Sequence, residues 1–122
     1  MATANQITGK KGEEEARAHL LSKGHQILAA NWRCGSLEVD LISQVENIIV
    51  FSEVKTRMYN AMVDPAEGVN RAKQKQIMRA AERYMENQPD HLECRFDIIA
   101  VSYKGNSYTV EHLEDAYRHF MK

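Results

Sequence analysis

Two short apolar segments with little chain between them constrain this sequence most. Residues 37–42 and 48–57 are both rich in β-branched and apolar side chains, the composition of strands, and only residues 43–47 separate them. A connection this short joins antiparallel neighbours, because parallel strands need a much longer crossover. The two segments are therefore predicted to pair as a hairpin.

The register of this hairpin decides which charged side chains meet. A two-residue turn at Glu46-Asn47 places each residue of the first strand opposite a partner on the second. Because side chains alternate along a strand, the charged residues then share one face and the apolar residues share the other. The charged pairs are Asp40 opposite Glu53 and Glu38 opposite Lys55. The apolar residues predicted to face the core are Val39, Leu41, Val50 and Val54.

Directly opposed carboxylates are unusual in a simple sheet, since they repel each other. If they are buried, Asp40 and Glu53 raise each other's pKa or require a cation. Mg²⁺ suits such a pair, because it takes one or two carboxylates, keeps several waters and accepts a substrate phosphate. Lys55, one strand step away, is placed to orient a water or to stabilise charge on a phosphate. The hairpin therefore predicts a site for Mg²⁺ or Mn²⁺.

The rest of the chain predicts one α/β domain over residues 1–122, with residues 1–7 as a loose lead-in. Apolar stripes at helical spacing indicate helices, and short β-branched runs indicate strands. The predicted order is αβββαββα, a central mixed β-sheet flanked by helices. The predicted helices lie at about 8–23, 70–86 and 111–121, and the strands at 25–33, 37–42, 48–57, 95–103 and 107–110.

Two predicted helices carry a charged residue on the inward side. Glu13 falls in the first turn of the helix at 8–23, at the centre of its apolar stripe. A glutamate run in a first turn also complements the helix dipole, which is an alternative explanation. Lys73 extends the inner stripe of the helix at 70–86, although a lysine stem also packs well along a core edge. The stripe of the first helix is formed by Ala16, Leu20 and Leu21.

Composition and charge exclude some functional classes. A net charge of −1 argues against a globally basic nucleic-acid binder, but residues 55–83 hold seven Lys and Arg against three acidic residues. No apolar run approaches the roughly 20 residues that span a bilayer, and the start of the chain lacks signal-peptide features. Cys34 and Cys94 stand alone, which fits a reducing cytoplasm. The five histidines show no ligand spacing and are predicted to lie on the surface.

The order of the charged residues resembles the PD-(D/E)XK nuclease superfamily, which has an acidic helix residue, an Asp on a strand and Glu-x-Lys on the paired strand. These are Glu13, Asp40 and Glu53-Val54-Lys55, in a layout similar to that of archaeal Holliday-junction resolvases. The chain more closely resembles the YraN-like bacterial proteins over about residues 9–101. That likeness rests on Gly12-Glu13-Glu14-Glu15-Ala16, Asn31-Trp32-Arg33 and Arg95-Phe96-Asp97. Leu37 and Ser52 depart from the pattern beside the site without replacing its acids.

This resemblance implies a restriction-endonuclease-like fold and a Mg²⁺-dependent phosphodiesterase acting on DNA, such as branched recombination or repair intermediates. It implies that Asp40, Glu53 and the Val54 carbonyl bind the metal, and that Glu13 joins through a water or a second metal. Lys55 would position the attacking water or stabilise the transition state. The cations expected to contact phosphate are Arg33, Arg57, Lys73 and Lys75. Analogy with the resolvases adds a possible homodimer.

Two other functional classes stay open from the sequence. The chain is also compatible with a nucleic-acid-binding module of the same fold that does not cut and that serves a partner complex. Such a module would bind DNA in a salt-dependent way without metal uptake by its carboxylates. In a purely structural or interaction domain, Glu38–Lys55 and Asp40–Lys55 would be cross-strand ion pairs on a solvated face.

Overall fold

The computed structural model describes residues 4–58 and 69–118, and it confirms an α/β fold built on a five-stranded mixed sheet. The order of elements is αβββαββ. Neither helix within these two ranges is long and apolar enough to cross a bilayer. The elements are α1 (Ala4–Ser22), β1 (Gln26–Cys34), β2 (Leu37–Val45), β3 (Ile48–Met58), α2 (Arg71–Met85), β4 (Glu93–Lys104) and β5 (Ser107–Tyr117).

The strands lie in the sheet in chain order, from β1 at one edge to β5 at the other. All neighbours are antiparallel except β3 and β4, which run parallel. Parallel neighbours need a crossover between them, and α2 lies on that connection. The sheet is therefore mixed because a helix separates β3 from β4 in the sequence.

Each helix covers one face of the sheet. On the α2 face, Ile77 of the helix packs in one core with Phe51 of β3 and Phe96 of β4. On the α1 face, Leu20 of the helix packs with Leu41 and with the inner residues of β4. Alternation along β3 consequently sends Phe51 and Glu53 towards α2, and Ser52 and Val54 towards α1.

The close approach of α1 to β3 requires glycine at position 12. A Cβ added to Gly12 would collide with the hydroxyl of Thr56, the residue after Lys55. No such restriction applies to Gly9, one turn earlier, where a Cβ would meet nothing within 4 Å. The absence of a side chain at Gly12 therefore allows α1 to pack closely against β3, the strand that carries Glu53 and Lys55.

Two details of α1 differ from the prediction. The helix begins at Ala4, one turn before the predicted start, so Glu13 lies in its middle and the helix dipole does not explain the glutamate run. Leu21, predicted in the apolar stripe, is 54% exposed. The predicted stop at Gly24 is confirmed, since this residue adopts a left-handed φ of 87°.

The predicted closing helix is wrong over residues 111–117, which continue β5. Leu113 pairs with Ile98 and Tyr117 pairs with Phe96, so four residues of β5 span two of β4. This bulge contains Asp115 at a left-handed φ of 52°. Residues 119–121, the last part of the predicted closing helix, lie outside the described residues.

Candidate functional site

The hairpin formed by β2 and β3 brings Asp40 and Glu53 together. Its ladder keeps the predicted register from the turn to the pair Leu41–Ser52. Just beyond this pair, Oδ2 of Asp40 accepts a hydrogen bond from the backbone N–H of Val54 at 2.8 Å. The Asp40 carboxylate thus takes the place of a ladder hydrogen bond, and its negative charge acts on the neighbouring Glu53 carboxyl.

A backbone distortion positions Asp40. Asn31 of β1, which lies opposite, has a left-handed φ of 51°, a conformation in which Asn is enriched among non-glycine residues. Val39 packs in the α2-side core, whereas Leu41 packs with Val54 in the α1-side core. The prediction that Val39 shares a face with Leu41 is therefore wrong. Regular alternation is interrupted at the residue between them, which is Asp40.

Glu53 is the buried acid of the pair, with only 5% of its surface exposed. Its Oε1 lies 3.8 Å from Nζ of Lys55 and 3.9 Å from Nζ of Lys73. Its Oε2 is buried and has no hydrogen-bond partner within the described parts of the chain. Burial and the negative charge of Asp40 raise the pKa of Glu53 to about 7, although both lysines act in the opposite direction. A carboxyl with this pKa exchanges its proton near neutral pH, as active-site acids do.

Helix α2 delivers Lys73 to the site. Oδ1 of Asn70 accepts a hydrogen bond from the backbone N–H of Lys73 at 2.9 Å, which caps the helix at this point. The buried stripe that begins at Ile77 orients the helix on the sheet. Lys73 lies four residues before Ile77, so its ammonium group reaches Glu53 along the same side. The structure thus agrees with the inward direction predicted for this lysine.

Glu13 reaches the edge of the site through another residue. Its Oε2 accepts a hydrogen bond from Nδ2 of Asn31 at 3.2 Å, and Asn31 lies opposite Asp40 on β1. Across residues 4–58 and 69–118, no three His, Cys, Asp or Glu side chains form a group that could hold a metal ion. Glu13 therefore does not complete a three-acid group with Asp40 and Glu53, and its link to them runs through Asn31.

The other predicted phosphate contacts are spread over the surface. Arg33 forms an ion pair with Glu38 at 3.3 Å across β1 and β2. The paired ladder of β2 and β3 ends at Leu41–Ser52, so the predicted pairing of Glu38 with Lys55 is not part of it. Arg57 lies half-buried on β3, two residues beyond Lys55. Lys75 is exposed on α2 and lines a groove between this helix and β5.

A buried polar network lies on the α1 face of the sheet, opposite the face that carries Glu53. Most of its contacts were not predicted. Asp97 is fully buried and accepts two hydrogen bonds from the Arg95 guanidinium, at 2.9 and 2.8 Å, and one from Nε2 of His112 at 2.7 Å. His112 in turn bonds to His19 at 3.1 Å. His25 is also buried, and burial lowers its pKa. The prediction of surface positions is therefore wrong for these histidines, whose partners lie far away in sequence.

Tyr117 is the residue near the site that sequence reasoning missed. Its ring stacks on Phe96 at 5.3 Å, on the α2 face. Its hydroxyl is buried and has no hydrogen-bond partner among the residues described. Burial and the negative charges of Glu53 and Asp97 raise the pKa of Tyr117. No local signal placed this residue, because the alternation of Tyr108 and Val110 stops at His112 and a bulge separates Leu113 from Tyr117.

Comparison with known proteins places the site within a matched region. A family model described as "Uncharacterised protein family UPF0102" matches residues 12–101. This range contains Glu13, Asp40, Glu53, Lys55 and Lys73, whereas Tyr117 lies beyond it.

Bacterial relatives match along almost the whole chain. A UPF0102 protein of Flavobacterium psychrophilum is 41% identical over 120 residues, which cover 98% of this chain and 100% of the relative. A UPF0102 protein of Nitratidesulfovibrio vulgaris is 39% identical over 118 residues, which cover 96% and 88%. One from Phocaeicola vulgatus is 37% identical over 117 residues, with 96% of both chains covered.

Proposed function

The chain belongs to the uncharacterised protein family UPF0102, and we propose that it is a phosphodiesterase that uses a divalent metal ion to cleave DNA. One observation carries this proposal. The buried Oε2 of Glu53 lacks a hydrogen-bond partner among the described residues. The other oxygen of the same carboxyl, Oε1, lies within 4 Å of two lysine ammonium groups, and the negative charge of Asp40 acts on this carboxyl. A buried polar atom left unpaired costs about 1–3 kcal/mol, so a fold keeps one where a ligand satisfies it.

A structural ion pair elsewhere in the same sheet looks different. Asp97 on the opposite face binds Arg95 through hydrogen bonds of 2.9 and 2.8 Å and uses both carboxylate oxygens. The ammonium groups of Lys55 and Lys73 lie 3.8 and 3.9 Å from Oε1 of Glu53, which is beyond hydrogen-bonding distance. This looser arrangement supports a ligand site in preference to a stabilising salt bridge.

The donor set fits Mg²⁺ or Mn²⁺. Asp40 and Glu53 would hold the ion with carboxylate oxygens, and the Val54 carbonyl would add a further oxygen. Two carboxylates suit Mg²⁺, which keeps several waters and prefers oxygen ligands. When bound, the ion would neutralise charge on the scissile phosphate and make a water more acidic. Glu13, bonded to Asn31, would act from the edge of the site.

The other residues of the site have separate roles in the proposed reaction. The N–H of Val54 fixes the orientation of the Asp40 carboxylate. Lys55 would orient the attacking water or stabilise the negative charge that grows on the phosphate, and Lys73 would add a second positive charge from α2. The resemblance to PD-(D/E)XK nucleases supports DNA as the substrate, with Arg33, Arg57 and Lys75 as further phosphate contacts.

A nuclease screen tests the proposal. Purified protein is incubated with branched, duplex and single-stranded DNA in Mg²⁺, in Mn²⁺ and in chelator, and Lys55→Ala is the matched control. We expect metal-dependent cleavage that falls by about 10²–10³-fold in the variant, the usual loss when one electrostatic contact to a transition state is removed. Equal cleavage by both proteins would exclude this site. Salt-dependent binding without cleavage by the wild type would favour the non-cutting module.

A further inference from the structure

A groove of about 880 Å³ lies between α2 and β5. Its lining combines positively charged side chains from two parts of the chain with apolar groups. The cations are Arg71, Lys75 and Arg79 from α2 and Arg118 just after β5, and the apolar groups include Met78 and Tyr117. None of the groove's β5 side was anticipated, because that segment was predicted to be a helix.

The charge of the groove contrasts with that of the whole chain. The protein has a net charge of −1, yet this groove sets four cations against the two carboxylates of Glu82 and Asp115. The Asp115 carboxylate accepts two hydrogen bonds from Arg118, at 2.8 and 3.1 Å, so these two charges offset each other and leave three cations of α2 against Glu82. Positive charge is therefore concentrated where the surface is concave, which favours an anionic ligand.

Tyr117 belongs to the groove and lies on the same face of the sheet as Glu53. Its ring stacks on Phe96 in the α2-side core, and the negative charge of Glu53 contributes to raising its pKa. The Tyr117 hydroxyl and Oε2 of Glu53 are both buried atoms without a hydrogen-bond partner in the described part of the protein. The α2 face therefore carries two unsatisfied polar atoms, one on a residue that lines the groove and one at the carboxylate pair.

We infer that this groove binds a single strand of nucleic acid on the face of the sheet that carries Glu53, an inference that rests on the proposed nuclease function. Its volume falls within the range of about 300–1,000 Å³ typical of small-ligand pockets, a size that suits one or two unpaired nucleotides. Arg and Lys on the walls bind phosphates, while Met78 and Tyr117 offer apolar contacts to bases. The substrate class is therefore DNA with an unpaired strand, such as a flap or a frayed branch.

Binding measured without cleavage tests this inference. Fluorescence anisotropy of a labelled oligothymidylate is recorded in chelator, with the wild type, the double variant Lys75→Ala/Arg79→Ala and the control double variant Arg17→Ala/Lys23→Ala. Both pairs remove two exposed positive charges, but the control pair lies on and just after α1, away from the groove. An unlabelled duplex of equal length competes in a parallel titration.

We expect the groove variant to bind the single strand about ten-fold or more weakly and to lower the salt slope by about 1.4, since each lost phosphate contact removes about 0.7. The control variant should bind within two-fold of the wild type, and the duplex should compete poorly. Equal weakening by both variants, or equal competition by the duplex, would overturn the inference. Because chelator prevents cleavage, this outcome is independent of whether the nuclease proposal holds.

Discussion

Replacing Glu53 with glutamine is expected to abolish metal-dependent cleavage and, at pH 8, to stabilise the fold. Glutamine keeps the shape of the side chain but cannot supply a carboxylate to the metal. The pKa of Glu53 is raised from 4.5 to about 7 in the folded protein, because of burial and the charge of Asp40. The unfolded chain therefore loses this proton more readily than the folded one.

The sign of the pH dependence follows from this raised pKa. Wild-type stability is expected to fall as the pH rises from 4.5 through about 7, and then to level off. Each unit of difference in pKa corresponds to about 1.4 kcal/mol, so ionising Glu53 should lower the free energy of unfolding at pH 8 by on the order of 3 kcal/mol. Glu53→Gln removes this cost, so its free energy of unfolding should exceed that of the wild type at pH 8 and match it near pH 4.5.

Urea denaturation of both proteins across this pH range measures the effect. Glu14→Gln, a change of the same chemistry at an exposed position of α1, serves as the control and should show no such trend. A gain in stability together with a loss of activity is typical of a residue kept for function. A Glu53→Gln variant that is destabilised at pH 8 would show instead that the charged carboxylate holds the fold together.

The second large effect concerns the opposite face of the sheet. Asp97→Ala is expected to lower the free energy of unfolding by about 3–5 kcal/mol, because it leaves a largely buried Arg95 without its partner. The same change removes the acceptor for His112 and for the backbone N–H of Asp115 in the bulge of β5. Since small domains have about 5–15 kcal/mol in total, the variant should be only marginally folded.

Denaturation by urea at several pH values tests this second expectation. Burial alone would raise the pKa of Asp97, but hydrogen bonds from His112, Arg95 and the Asp115 backbone outweigh it and lower the pKa. The stability that Asp97 contributes is therefore complete above pH 3.8 and is lost as the pH falls through the lower folded pKa. Asp90→Ala, at an exposed loop position, is the control. Equal stability of the two variants at pH 7 would contradict this account.

The hairpin and the second helix were predictable because their signals are local. A short turn and strong alternation fix the pairing of β2 with β3, and the stripe at Ile77 fixes the inner side of α2 and hence the direction of Lys73. The strand β5 was not predictable in the same way. Leu113 and Tyr117 are four residues apart, which reads as helical spacing, yet a bulge allows both to pair with β4. That bulge is held by Asp97, whose position beside it depends on the folded sheet.

Parts of the site also depended on tertiary structure. The left-handed backbone of Asn31 interrupts alternation beside Asp40, and nothing in the sequence of β2 signals it. Glu38 pairs with Arg33 on a different strand from the one predicted. Tyr117 approaches the site only because β5 continues past the point where a helix was expected. Asp40 and Glu53 could therefore be recognised from residue type and spacing. The residues that surround them could be identified only from the folded structure.

Direct measurement of metal binding tests the central claim, that Asp40 and Glu53 together hold one divalent ion. Calorimetric titration with Mn²⁺ at pH 6.5, in two buffers of different ionisation enthalpy, yields the stoichiometry and the number of protons released. We predict one ion per chain with proton release, because Glu53 has a pKa of about 7 and must lose its proton to bind metal. Asp40→Asn keeps an acceptor for the Val54 N–H and should lose this binding. Mn²⁺ binding of unchanged affinity and proton release in Asp40→Asn would contradict the claim.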